Sequence, residues 1–180
     1  MTSEHAFASS LLDSTLSAQA AGVALALREV LGREACARLG SFEELTGDCR
    51  MRLRHLCESV ALARAQLYVD HIAWQRTALV ARGVEPGVLE ELLACQRRVL
   101  SEGLPPLALK TLEPFLAAGE QLLREPAGEP PSALSGPYAA AVARILEGAL
   151  SGRRDECRRI ARELLGELGE DALVEGVLVG

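Results

Sequence analysis

Apolar side chains recur along most of the 180-residue chain at the three- and four-residue spacing of an amphipathic α-helix. The first such stretch covers residues 1–32, and Gly32 follows it as a C-cap residue would. Its first apolar positions are Phe7, Leu11, Leu12 and Leu16. Strong helix formers dominate the chain and aromatic residues make up only 3% of it, so the pattern predicts an all-α protein built as a helical bundle.

A second helical stretch begins after Ser41, an N-cap residue followed three positions later by Glu44, as a capping box requires. From Cys49 onward the apolar positions form one stripe. Its members are Leu53, Leu56, Cys57, Val60 and Ala63, and helical spacing extends it through Leu67, His71, Trp74 and Ala78. The sequence therefore predicts one long helix that Gly83 ends.

Two further helices follow in the N-terminal bundle. Pro86 opens the first and Gly103 ends it. Its apolar face consists of Val88, Leu89, Leu92, Leu93, Gln96, Val99 and Leu100. Pro105 and Pro106 open the second helix, which Pro114 is expected to kink or split.

A segment rich in proline and glycine, residues 125–137, predicts a linker. It separates an N-terminal helical bundle, residues 1–124, from a shorter helical segment, residues 138–180. That segment contains one helix stopped by Gly152, a second over residues 153–165, and the beginning of a third. We expect this incomplete bundle either to dock on the first or to continue in a longer natural chain.

The region around His71 is the candidate for specific chemistry because it combines an imidazole with the only tryptophan of the chain. Together Leu67, His71 and Trp74 define a candidate cofactor or ligand pocket. A neutral imidazole is also the commonest metal ligand. The alternative is a core histidine that is hydrogen-bonded to a neighbour. His55 is expected on the opposite, solvated face, and no third group completes a catalytic triad with His71.

Charge and composition exclude several classes of function. A net charge of −6 disfavours nucleic-acid binding, which needs an excess of basic residues. Five cysteines without a CxxC motif indicate free thiols in a reducing cytoplasm rather than disulfides or a zinc site. No signal peptide is visible, and the longest apolar run, residues 18–27, is too short for a membrane span. No phosphate loop, HExxH motif or nucleophile elbow is present, so we predict that the chain is not an enzyme.

The segment YAAAVARILEGALSGRRDECRRIARELLGELGEDALVEGVLVG resembles the opening of the helical cap module of cobalamin-binding proteins. The matching residues are Ile145, Leu146, Leu150, Gly152, Arg153, Arg154, Ile160, Ala161, Leu164, Leu165, Asp171 and Val174. Upstream, the chain is similar to the N-terminal region of bacterial cobalamin-binding regulatory proteins. That match is carried by Arg54, His55, Leu56, Leu67, Tyr68, Val69, Asp70, Trp74, Gly83 and Val84. Those relatives have a Gly- or Pro-containing turn near Ala65, where this chain has ARAQ.

The resemblance implies a cytoplasmic regulatory or sensory module of a cobalamin-binding protein. The Rossmann-like domain that supplies the lower axial histidine in the family is absent from this chain, so no cobalamin ligand is carried over. We expect cobalamin to bind in the full-length relatives and not tightly to this chain alone. The implied partner is a corrinoid-binding domain in cis or in trans, or another protein, with no nucleic acid and no membrane. The alternative is a stand-alone interaction or homodimerisation module without a cofactor.

Overall fold

The computed structural model describes residues 3–85, 87–125, 139–150 and 154–168. These residues contain seven α-helices and no strand, which confirms the predicted all-α class. The helices are α1 (Ser3–Ala37), α2 (Phe42–Ala61), α3 (Ala65–Ala81), α4 (Gly87–Gly103), α5 (Pro106–Arg124), α6 (Ala139–Leu150) and α7 (Arg154–Leu168).

The described residues cluster into two units. The first contains residues 3–76, 84–85 and 87–125 and so includes α1, α2, α4, α5 and most of α3. The second contains residues 77–83, 139–150 and 154–168. Most of the predicted linker and the beginning of a last helix after residue 170 lie outside the described residues.

Helix α1 is the central element of the first unit, because α2, α4 and α5 all pack against it. Its buried positions follow the helical period and include Ala8, Leu12, Leu16, Ala20, Val23, Ala24 and Leu27. Within the described part of the chain, α1 alone is long and apolar enough by length and composition to cross a membrane. A buried core helix has the same composition, so the cytoplasmic location and the absence of a membrane remain predictions.

The residues predicted to end the first helical stretch and to begin the second adopt the expected geometry. Gly32 adopts a left-handed φ of 79° and interrupts α1, after which a short helical piece continues to Ala37. The capping box is present: the Glu44 N–H donates to Ser41 Oγ at 3.2 Å, and the Ser41 N–H donates to Glu44 Oε2 at 2.8 Å.

The long helix predicted through Trp74 is wrong, because the chain breaks between α2 and α3. Ala63 has a φ of 53°. The N–H of Arg64 donates to Ser59 O at 2.9 Å, and the N–H of Ala63 donates to Val60 O at 3.0 Å. This pair of hydrogen bonds is a Schellman motif with alanine at the position that glycine usually occupies. The apolar stripe of α2 therefore does not continue into α3.

Replacing Ala63 with glycine should stabilise the protein by about 1 kcal/mol, because glycine adopts the left-handed conformation without the steric penalty of Cβ. The matched control is Ala117→Gly on the exposed side of α5, where glycine should destabilise by about 1 kcal/mol. Urea denaturation of both variants measures the difference. Equal losses of stability would show that the turn at Ala63 is not strained.

Helices α4 and α5 begin and end close to the predicted positions. Gly103 is the last residue of α4, and Pro106 is the first of α5. Pro114 is exposed within α5 and does not split it, so that part of the expectation is wrong.

The second unit contains the helical pair α6 and α7. Arg144 on α6 and Arg159 on α7 both pair with Glu163, at 3.4 and 2.6 Å. A Cβ added at Gly148 would lie 2.8 Å from the Cys157 sulfur, so glycine allows the two helices to approach closely here. The two helices occupy the places that the sequence predicted, with α7 extending to Leu168.

Candidate functional site

Three aromatic rings from α2 and α3 stack in a row. The ring centroids of His55 and His71 lie 3.9 Å apart at 21° between planes, and those of His71 and Trp74 lie 6.1 Å apart at 23°. The turn at Ala63 makes this possible because it ends α2 and redirects the chain into α3. The expectation that His55 lies on the opposite face from His71 is therefore wrong, although its side chain is still 36% exposed.

The predicted stripe on α3 is rotated away from the core. Tyr68 and Ile72 are the fully buried residues of this helix, whereas Leu67 and His71 are half-buried and Trp74 is 45% exposed. The exposed rings continue an apolar strip on α2, where Met51 and Leu62 share the helical face of His55. We call Met51, His55, Leu62, His71 and Trp74 the ring face. The ligand pocket at Leu67, His71 and Trp74 stays a prediction.

Behind the ring face lies a buried polar layer formed by Cys49, Arg52, Tyr68, Gln75 and Gln96. Arg52 is only 2% exposed. Its Nε donates to Gln75 Oε1 at 2.7 Å, its Nη1 lies 3.9 Å from the Cys49 sulfur, and Gln96 Nε2 donates to Tyr68 Oη at 2.9 Å. Within the described chain no carboxylate pairs with Arg52, so a cation is buried among neutral groups.

Burial and charge set the protonation states in this layer. Burial, His55 and Arg52 together lower the pKa of His71 to about 3, so its imidazole is neutral at physiological pH. Burial raises the pKa of Tyr68 to about 12. Burial also raises the pKa of the Cys49 thiol, outweighing the nearby Arg52 cation, so Cys49 is not a reactive thiolate.

Two polar atoms beside this layer have no hydrogen-bond partner in the described part of the chain: His71 Nε2 and Gln96 Oε1. Leaving such an atom buried and unpaired costs about 1–3 kcal/mol. Most buried polar groups in folded proteins are satisfied, so these two atoms are exceptions.

Other polar residues of α3 have structural partners. Asp70 accepts a hydrogen bond from Gln66 Nε2 at 2.7 Å and does not pair with Arg76. Instead Arg76 Nη1 donates to the backbone oxygens of Leu122 and Glu125, both at 3.1 Å. Arg76 therefore satisfies carbonyl groups at the C-terminal end of α5.

The ring face does not fit metal ligation. Among the residues that the structure describes, no group of three or more His, Cys, Asp or Glu side chains could hold a metal ion. His71 lies between two rings, its Nε2 is buried, and the Arg52 cation is close enough to lower its pKa. His71 therefore does not fit as an axial ligand of cobalt, whereas the exposed indole of Trp74 offers a flat apolar surface.

No family model, curated protein or solved structure matches this chain. The fold and the site define a helical bundle with an aromatic surface patch that is backed by a buried cation.

Replacing Arg52 with methionine should change stability little, because removal of the buried charge offsets the loss of the hydrogen bond to Gln75 Oε1. Arg52→Ala should instead lose about 2–5 kcal/mol through the cavity it leaves. Urea denaturation of the two variants tests this. If Arg52→Met loses as much stability as Arg52→Ala, the charge itself holds the layer together.

The low pKa of His71 predicts that stability falls as the pH decreases. The unfolded chain takes up a proton near the ordinary pKa of 6.5, whereas the folded chain does so only near 3, so acid favours unfolding in this window. Urea midpoints at pH 7.5 and pH 5 should therefore differ less in His71→Gln than in the unmodified chain. An identical difference in both would contradict the neutral state assigned to His71.

Proposed function

We propose that this chain is a regulatory or sensory helical module that recognises a partner protein through its ring face. The observation that carries the proposal is the half-exposed stack of His55, His71 and Trp74. Tryptophan is among the residues most enriched at the energetic centres of interfaces. A partner that covered Trp74 would bury its large apolar surface and keep a polar contact available at the indole N–H.

The buried polar layer supports the same function. The unpaired His71 Nε2 and the uncompensated Arg52 lower the stability of the free module. A regulatory surface tolerates such a loss when rearrangement of the same groups accompanies binding. The layer connects α2, α3 and α4, so a change at the ring face reaches the centre of the first unit.

The resemblance to cobalamin-binding regulatory proteins suggests the class of partner: a corrinoid-binding domain in cis or in trans. In this proposal the corrinoid is held by that domain, because His71 does not fit as a cobalt ligand. The module contributes recognition and a response, and it has no catalytic role.

A second candidate function is homodimerisation through the same face. Met51 is 49% exposed and Leu62 is 61% exposed. They extend the apolar surface around His55, and a second copy of the chain could cover it. The two candidates differ in the partner but not in the surface.

Sedimentation of the chain with a cobalamin-loaded corrinoid-binding domain of a regulatory protein distinguishes them. We expect a complex with the unmodified chain that Trp74→Ser weakens at least about tenfold, the loss of one interfacial hot spot. The matched control is Leu107→Ser, which removes a similarly exposed apolar side chain (52%) from α5.

Self-association of the chain that depends on Trp74, with no complex formed with the corrinoid-binding domain, would favour the homodimer. A chain that stays monomeric and binds no corrinoid domain at about 100 μM would contradict both candidates.

A further inference from the structure

The α4–α5 hairpin of the first unit forms a groove of about 600 Å³ that is separate from the ring face. This volume lies within the range of small-molecule sites. Its lining consists of Glu90, Leu93, Ala94, Arg97, Arg98, Ser101, Glu120, Leu123 and Arg124.

One wall of the groove is a fixed ion-pair cluster. Arg97 Nε donates to Glu120 Oε1 at 2.7 Å, and its Nη1 donates to Glu113 Oε2 at 2.5 Å. The pKa of Arg97 is raised by these bonds, with Glu120 as the larger cause. Arg97 is therefore occupied by two carboxylates, which tie α4 to α5.

Two other arginines in the groove are available for a ligand. The guanidinium groups of Arg98 and Arg124 form no ion pair or hydrogen bond with any residue that the structure describes, and neither does the Glu90 carboxylate. The lining itself carries three arginines against the two carboxylates of Glu90 and Glu120, which leaves one net positive charge. Glu113, the second carboxylate bound to Arg97, lies outside the lining and offsets that charge. The whole chain, in contrast, has a net charge of −6.

The uncharged lining consists of Ser101, whose hydroxyl donates to Arg98 O at 2.7 Å, and of three apolar residues: Leu93 and Ala94 on α4, and Leu123 on α5. Guanidinium groups bind carboxylates through paired N–H donors, and the exposed Ala94 together with the half-buried Leu123 would cover an aliphatic chain. We propose that this groove binds a small organic acid that has one carboxylate and a short apolar chain. Inorganic phosphate offers the charge without the apolar body and should bind less tightly.

The groove is linked to α3 through Gly119, the neighbour of the lining residue Glu120. A Cβ built at Gly119 would lie 2.7 Å from Tyr68 Cε1, so the Tyr68 ring packs on the α5 backbone beside Glu120. Tyr68 lies one helical turn before His71. A ligand that moves the wall formed by Arg97 and Glu120 would therefore shift the base of the ring face. This coupling rests on the proposed function, whereas binding in the groove does not.

Isothermal titration of the full chain with hexanoate tests the site. Hexylammonium serves as the probe of opposite charge, and inorganic phosphate as the anion without an apolar body. The variants are Arg98→Gln, Arg124→Gln and the double variant, with Arg38→Gln as the exposed control outside the groove. Circular dichroism confirms that each variant is folded.

We expect saturable hexanoate binding that the double variant weakens at least about tenfold, the effect of losing one charge-assisted hydrogen bond. Arg38→Gln should bind like the unmodified chain. The site is overturned if hexanoate shows no saturation up to about 10 mM, or if the double variant binds equally well. If hexylammonium or phosphate bound as tightly as hexanoate, the proposed ligand class, a carboxylate with a short apolar chain, would be wrong.

The emission of Trp74, the only tryptophan, separates the two proposals. A change in emission on hexanoate binding, absent in the double variant, supports coupling to the ring face. Hexanoate binding without any change in emission would leave the groove intact as a site and contradict the sensory role of the ring face.

Discussion

Burial of the apolar side of α1 is the constraint around which the first unit is arranged. Helices α2, α4 and α5 all pack on it, and their apolar sides must therefore face one axis. The contact with α4 is close: a Cβ added at Gly22 would lie 3.0 Å from Val99 Cγ1. Small residues on α1, such as Ala20 and Ala24, are fully buried and permit this approach. Among the residues that the structure describes, large aromatic side chains are consequently rare in the interior, where Tyr68 is fully buried and Phe115 is 5% exposed.

The polar layer is inconsistent with an interior selected for stability alone. A core that needed only apolar contacts would place methionine or leucine where Arg52 and Gln96 lie. Instead a guanidinium, two amides and a phenol meet between three helices, and the hydrogen bonds reach only some of their polar atoms. Partly satisfied networks lower stability and also respond strongly to small movements, because each polar atom has few alternative partners. This property suits the proposed response of the module to a partner.

The sequence predicted the fold where individual residues dictate the backbone. Ser41 with Glu44, Gly83, Gly103 and Pro106 each marked a helix end because capping geometry or a missing N–H requires those residue types. The end of α2 was missed since Ala63 occupies a left-handed position without the glycine that normally signals it. Propensity alone cannot reveal such a turn, because alanine is the strongest helix former and its strain is compensated by packing elsewhere.

That single missed turn explains most of what the sequence did not show about the site. Within one continuous helix, His55 and His71 would lie far apart along the axis, whereas the turn brings their rings to 3.9 Å. Arg52 could have been found, since it lies three residues after Cys49 and four before Leu56, both of them buried. Arginine is almost never fully buried without an ionic partner, so the residue type gave no such signal.

The links from the groove to the ring face are short and consist of packed atoms. Glu120 follows Gly119, Gly119 contacts the Tyr68 ring, and Tyr68 shares α3 with His71 and Trp74. Tyr68 also accepts the hydrogen bond of Gln96, the residue of α4 next to Arg97. The residues next to Arg97 and Glu120 therefore contact the same side chain from two different helices. A rigid tyrosine held in this way cannot adjust to one wall without affecting the other. This geometry allows a ligand that changes the spacing of α4 and α5 to alter the position of α3, and with it the exposed indole.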